Sequence, residues 1–303
     1  MSVPNFLMAA VIFPRSSLLA HTAFGGLCIL LFVSSLVGQP ASISATYDPA
    51  ELVRKSVENE VKSANDDSAR FLFRGIKTTP KGSTTRIYVE TKDATAGMVI
   101  AYNGKPLTLE QRRDEEARLG RFVTNPEELR KKRQQEKDNA ENSLRITRAL
   151  PEAFVYEYAG EEQRSPGMGR ASYTLVKLKF RPNPKYEPPS RVEEILSGMQ
   201  GYILVDPVHH RIASVDGTLF KEVGFGWGIL GHLDPGGRFF VQQQQVDDNV
   251  WEISSMTLNF TGKILMFKSL NINSTEVFSG FKRVPSDISF AQALELLKKE
   301  QGN

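Results

Sequence analysis

The chain has 303 residues, 40% of them hydrophobic and 24% charged, a balance that excludes a globally disordered polypeptide. Its formal net charge is +3, with basic and acidic residues interspersed, so it lacks the segregated basic stripe of a nucleic-acid binder.

The first segment reads as an export signal. Arg15 precedes an apolar run from Leu18 to Val37, interrupted by His21, Gly25 and Gly26. A small and polar stretch from Gly38 to Ala45 follows it. Positive, apolar, then small is the order a signal peptidase requires. Ile43-Ser44-Ala45 favours cleavage before Thr46, giving an expected signal peptide over 1–45 and one exported domain over 46–303 in the periplasm or cell envelope. A retained N-terminal anchor is the alternative, because the apolar run is nearly long enough to span a membrane. The only cysteine, Cys28, lies inside this leader. A cleaved product would therefore have no disulfide, thiol catalysis or cysteine-ligated metal. Leu27 before Cys28 is too large for a lipoprotein processing site.

Beyond the leader, Asp48-Pro49 predicts a helix start, with aspartate as the cap and proline at the first helical position. Leu52, Val53, Val57 and Val61 carry the helical spacing to about Ser63. The period then changes to alternation around Phe71 and Phe73, Ile87 and Val89, and Met98 and Ile100, which predicts three short strands. Residues 107–149 form a densely charged insertion with a break at Thr124-Asn125-Pro126, predicting helices over about 108–121 and 126–148. Such a charge-rich face is usually solvated. Acidic neighbours dilute Arg130-Lys131-Lys132-Arg133, so no nucleic-acid partner is expected, and the insertion is the candidate surface for an envelope protein partner.

The β signal returns at Phe154. Val176, Leu178 and Phe180 alternate with Lys177, Lys179 and Arg181, as in a sheet with one buried and one wet face. A proline-rich loop over 182–189 leads to a short helix over 191–197. Further strands are expected over 201–205, 211–216, 219–223, 238–246, 250–260 and 262–270, and a final helix over Ser289–Lys299. No βα alternation occurs. The expected fold is α+β and mostly antiparallel: a curved sheet or half-closed β-barrel with helices on its concave side.

Four chemical motifs reduce to structural ones. Gly226-Trp227-Gly228-Ile229-Leu230-Gly231 has dinucleotide-type glycine spacing, but the breaker Asp234-Pro235-Gly236-Gly237 leaves no room for the helix that would meet a pyrophosphate. Asp216-Gly217 is expected as a turn between strands. His209-His210 lack metal-ligand partners beyond Asp206. No serine sits in a Gly-x-Ser-x-Gly elbow. No catalytic residue, metal site or cofactor is expected. What remains is apolar surface: Phe71, Phe73, Val176, Leu178, Phe180, Phe239, Val241, Trp251, Ile253, Leu258, Phe260 and Met266 are the candidate lining of a ligand cavity, against the alternative of a filled core.

The signal sequence, N-terminal helix and long antiparallel meander resemble the LolA and LolB superfamily of bacterial lipoprotein and lipid carriers. The hairpin Gly201–Asp206 into Arg211–Asp216 is similar to one in that group. The resemblance implies an unclosed barrel whose apolar cavity holds acyl chains without catalysis. The charged insertion and the loop over 182–197 depart from its compact pattern. The leading expectation is thus an exported, non-catalytic protein binding a lipid or lipoprotein acyl chain. The rivals are a structural or protein-interaction module with a filled core and, behind it, a hydrolase.

Overall fold

The computed structural model describes residues 47–66, 68–164, 174–225, 231–264 and 268–301. The leader, Cys28 and Met266 lie outside the described residues, as do residues 226–230 of the glycine-spaced motif.

Among the described residues thirteen strands form one open antiparallel sheet, whose main path runs in the order β4-β3-β2-β1-β13-β12-β11-β8-β7-β6-β5. They are β1 Arg70–Thr79, β2 Gly82–Val89, β3 Ala96–Tyr102, β4 Lys105–Pro106, β5 Phe154–Gln163, β6 Thr174–Pro182, β7 Met199–Asp206, β8 Arg211–Leu219, β9 Val223–Phe225, β10 Gly231–Leu233, β11 Arg238–Asp247, β12 Val250–Ile264 and β13 Lys268–Val284. Strand β10 pairs with β12 and β9, off the main path. Helices α1 Pro49–Ala64, α2 Leu109–Thr124, α3 Pro126–Ala153 and α4 Phe290–Gln301 complete the fold with a 3-10 turn at Glu193–Gly198.

Local chemistry sets the helix starts. Asp48 accepts from the Ala50 and Glu51 N–H groups at 3.0 and 3.4 Å, and Pro49 needs no partner at the first turn. Thr108 and Gln111 close a capping box on α2, each side chain accepting the other's backbone N–H. Asn125 caps α3 through Glu127 and Glu128.

The main core lies between the sheet and one face of α1, where Leu52, Val53 and Val57 meet Val176, Leu178, Phe180, Val241 and Leu258. Each fully buried side chain of this kind stabilises the fold by roughly 1.5–3 kcal/mol. A second core, with Leu72, Ile87 and Met98, receives Phe290, Ala293, Leu294 and Leu297 of α4 and Leu119 of α2. Leu72 and Ile87 alternate with Phe73 and Tyr88 along their strands, so α4 covers the face of β1–β3 opposite the one that Phe73 and Tyr88 occupy.

Three strand expectations are corrected. Residues 219–223 do not form a strand: Leu219 ends β8, the chain bends, and β9 begins at Val223. Gly262 does not begin a new strand but lies inside β12, where a Cβ would meet the His232 carbonyl oxygen at 2.1 Å. Glycine there permits the close approach of β10, which short-range alternation does not reveal. Asp216-Gly217 is not a turn; both residues lie within β8, opposite Phe240 and Phe239 of β11.

Candidate functional site

The cavities among the described residues include an open, charge-lined hollow of about 650 Å³ beside α3, among Asn65, Glu141, Arg145, Arg148 and Glu152, and a pair of unequal size against the sheet. The smaller, about 70 Å³, is apolar on all sides and sits in the main core, bounded by Ile146 and Leu150 of α3, Leu196 of the 3-10 turn, and Phe180, Met199 and Phe260 of the sheet. The larger, about 690 Å³, is a groove between β1–β3 and β12–β13 on one side and α2–α3 on the other.

The floor of the groove is aromatic. Phe73 stacks between Tyr88 and Phe281, with ring centroids 5.1 Å apart in both pairs and planes inclined by only 20° and 22°. Phe278 stands edge-on to Phe73 at 5.9 Å. The rings can approach the strands because Gly75 and Gly97 carry no Cβ. One at Gly75 would stand 2.8 Å from the Tyr88 ring and 3.0 Å from Phe278, and one at Gly97 2.9 Å from Tyr88. Burial raises the Tyr88 phenol above its ordinary pKa of 10.0, with Glu276 adding to the rise and Arg86 opposing it.

The roof is fastened to the sheet edge by polar contacts. Glu115 on α2 accepts the Val99 N–H at 2.7 Å, and Arg118 donates to the Gly97 carbonyl at 2.7 Å. The two side chains also pair with each other. They satisfy backbone groups of β3 that the two-residue β4 leaves uncovered, which protects an otherwise open sheet edge. Burial works to raise the Glu115 carboxyl, but hydrogen bonds from Arg118 and Val99 and the Arg118 charge overcome it and hold the group below 4.5. Further along, Glu136 of α3 accepts the Thr95 N–H at 2.9 Å, and Arg133 donates to the carbonyl and carboxylate of Asp93.

The twelve residues expected to line a cavity are dispersed. Phe180, Phe239, Leu258 and Phe260 border the small cavity. Phe73 and Ile253 border the groove. Val176, Leu178 and Val241 are packed in the main core. Phe71 is buried with Val250, its ring edge-on to Phe281. Trp251 packs with Leu175, Leu204 and Ala213, while Arg164 and Arg211 stand 4.7 and 5.7 Å from its ring. Met266 lies outside the described residues.

Sequence reasoning missed the remaining groove residues, Tyr88, Phe278 and Phe281 among them. It also missed a buried ionic cluster. Arg164 and Asp206, both fully buried, pair at 2.6 Å. His209 Nδ1 lies 3.1 Å from the same carboxylate, and Glu60 on α1 pairs with Arg211 on β8. A third omission lies at the end of the β9–β10 ribbon, where Glu222 and Asp234 stand just beyond the paired Val223 and Leu233. With His232 they offer three ligand atoms within 4.8 Å of one another, in a partly exposed setting.

No family model matches the sequence, and no curated protein matches it. Two solved structures align with most of the chain. One is described as an outer membrane lipoprotein-sorting protein domain from Vibrio parahaemolyticus; it is 11% identical, covers 82% of this chain and 98% of its own, and has a TM-score of 0.29. The other is a DUF1329 family protein from Desulfovibrio piger, 9% identical, covering 83% of this chain and 100% of its own, with a TM-score of 0.30.

Proposed function

We propose that the protein is an exported, non-catalytic envelope carrier that binds the apolar chain of a lipid or lipoprotein acyl group in the groove beneath α2 and α3. The observation that carries this reading is a ligand-sized groove with an aromatic floor. At about 690 Å³ the groove falls within the roughly 300–1,000 Å³ of small-molecule sites, whereas the 70 Å³ void falls far below it and the 650 Å³ hollow beside α3 is lined mainly by charged and polar side chains. A stacked aromatic floor gives an alkyl chain dispersion contacts, and a polar rim supplies a place for a head group. The apolar leader in the sequence supports an envelope location.

The nearly filled main core favours the second reading, a structural or protein-interaction module that uses the charged helices as its contact surface. Native mass spectrometry of protein purified from a bacterial envelope separates the two. Carriage predicts a co-purifying lipid mass and uptake of a fluorescent fatty acid. Bare polypeptide with no uptake would defeat it.

A further inference from the structure

The charged groups around the groove are nearly all matched with one another. Glu115 is held by Arg118 and the Val99 N–H, and Glu136 by Lys132 and the Thr95 N–H. Glu276 pairs with Lys77 at 2.6 Å, and Glu90 accepts the Phe71 N–H at 2.9 Å. Glu252, the fifth glutamate of the lining, is also engaged. Of the three basic residues that border the groove among the described residues, Arg118 and Lys132 are committed to these partners.

Arg86 is different. Among the described residues no carboxylate lies within ion-pairing distance of its guanidinium, which stands beside the Tyr88 phenol. Its field reaches Glu115, but that carboxylate already accepts from Arg118 and Val99. The position is built for reach. Arg86 pairs across β2–β1 with Gly75, which carries no side chain, and sits two residues from Tyr88 on the same face of the strand. A guanidinium keeps its charge and presents five N–H donors in a rigid fork. Half-buried, it is matched best by a carboxylate or phosphate that takes two of those donors in parallel.

We propose that the ligand of this groove carries an anionic head, a carboxylate or a phosphate monoester, held by Arg86 beside Tyr88, with its apolar chain lying along the Phe73–Phe281 ring stack. The assignment deepens the carrier reading and rests on it. The chain contacts supply affinity, and Arg86 supplies both charge selection and polarity, placing the head at the β2 end of the ring stack. The anion class has two sources, free fatty acids and phosphorylated amphiphiles, which share the fork-and-oxyanion geometry.

The test uses the purified protein and four ligands with the same twelve-carbon chain: dodecanoate, dodecyl phosphate, dodecanol and dodecyltrimethylammonium. Isothermal titration is performed below the micelle concentration of each. Dodecanoate or dodecyl phosphate should bind about tenfold or more tighter than dodecanol, the scale of one charge-assisted bidentate contact. The tighter of the two anions identifies the source. Arg86→Gln should reduce the anions to near the affinity of dodecanol while changing dodecanol far less, and an unaltered circular dichroism spectrum and melting temperature show that the variant folds. Arg86→Lys should restore part of the preference. Equal binding of dodecanol and both anions, tighter binding of the cation, or an anion preference that survives Arg86→Gln would overturn the assignment while leaving the carrier reading standing. Failure of all four ligands to bind would overturn both.

Discussion

Arg211 on β8 and Glu60 on α1 meet through two parallel hydrogen bonds of 2.8 and 2.9 Å, and both side chains are almost wholly buried. The same carboxylate accepts the Ile212 N–H at 2.9 Å, so one glutamate fixes the helix to both the side chain and the backbone of the strand. This junction sets the position of α1 over the main core.

Removing one partner leaves the other charge buried and unmatched. Glu60→Ala should destabilise the protein by about 3–5 kcal/mol, and Arg211→Ala by a similar amount. Paired replacement by Glu60→Leu and Arg211→Met should recover most of the loss. Urea denaturation of the four proteins, followed by circular dichroism, measures all three statements.

The Glu115–Arg118 clamp makes roof attachment sensitive to acid. The folded Glu115 carboxyl titrates below the unfolded value of 4.5. Its contribution to stability is therefore fully present above that value and is lost as pH falls through the lowered folded value. Protection of the Val99 amide against hydrogen exchange, corrected for the intrinsic pH dependence, should decline over this window. In Glu115→Gln that protection should be weaker at neutral pH and should not show the same acid-linked step.

Gly75 sets the depth of the aromatic floor. A methyl group there must displace the Tyr88 and Phe278 rings, an overpacking cost of roughly 1–3 kcal/mol. Gly75→Ala should lower the affinity for dodecanol several-fold with little change in secondary structure. Unchanged affinity would show that the rings do not touch the chain.

The small cavity responds in the opposite sense. Leu258→Ala removes a fully buried side chain from its wall and should cost about 3–5 kcal/mol. The enlarged apolar space should then accept benzene, which the parent protein should not bind at that site. Thermal shift measurements with and without benzene check both outcomes.

Much of the fold was legible because it rests on local chemistry. Asp48-Pro49 and Asn125-Pro126 marked two helix starts that the structure places at Pro49 and Pro126. The alternation of Val176, Leu178 and Phe180 identified a core-facing strand. The groove was largely hidden, since it depends on which strands become neighbours. Phe73 and Phe281 are more than two hundred residues apart and stack only because β13 returns to pair with β1. Nearly all of β13, from Asn271 to Val284, also escaped notice: polar residues such as Ser279, Gly280 and Lys282 give little apolar alternation, and pairing with β1 holds the strand out to Val284. Arg211 and Asp206 read as ordinary hairpin residues until α1 and Arg164 bring their counter-charges to them.

The central claim is that a chain-bearing ligand occupies the groove and not the void in the main core. Methyl-labelled nuclear magnetic resonance distinguishes the sites, because Met256 and Ile253 border the groove while Met199 and Ile203 border the small cavity. Titration with dodecanol should shift the Met256 and Ile253 methyl resonances and leave those of Met199 and Ile203 in place. Shifts confined to Met199 and Ile203, or no shift at any of the four, would contradict the account.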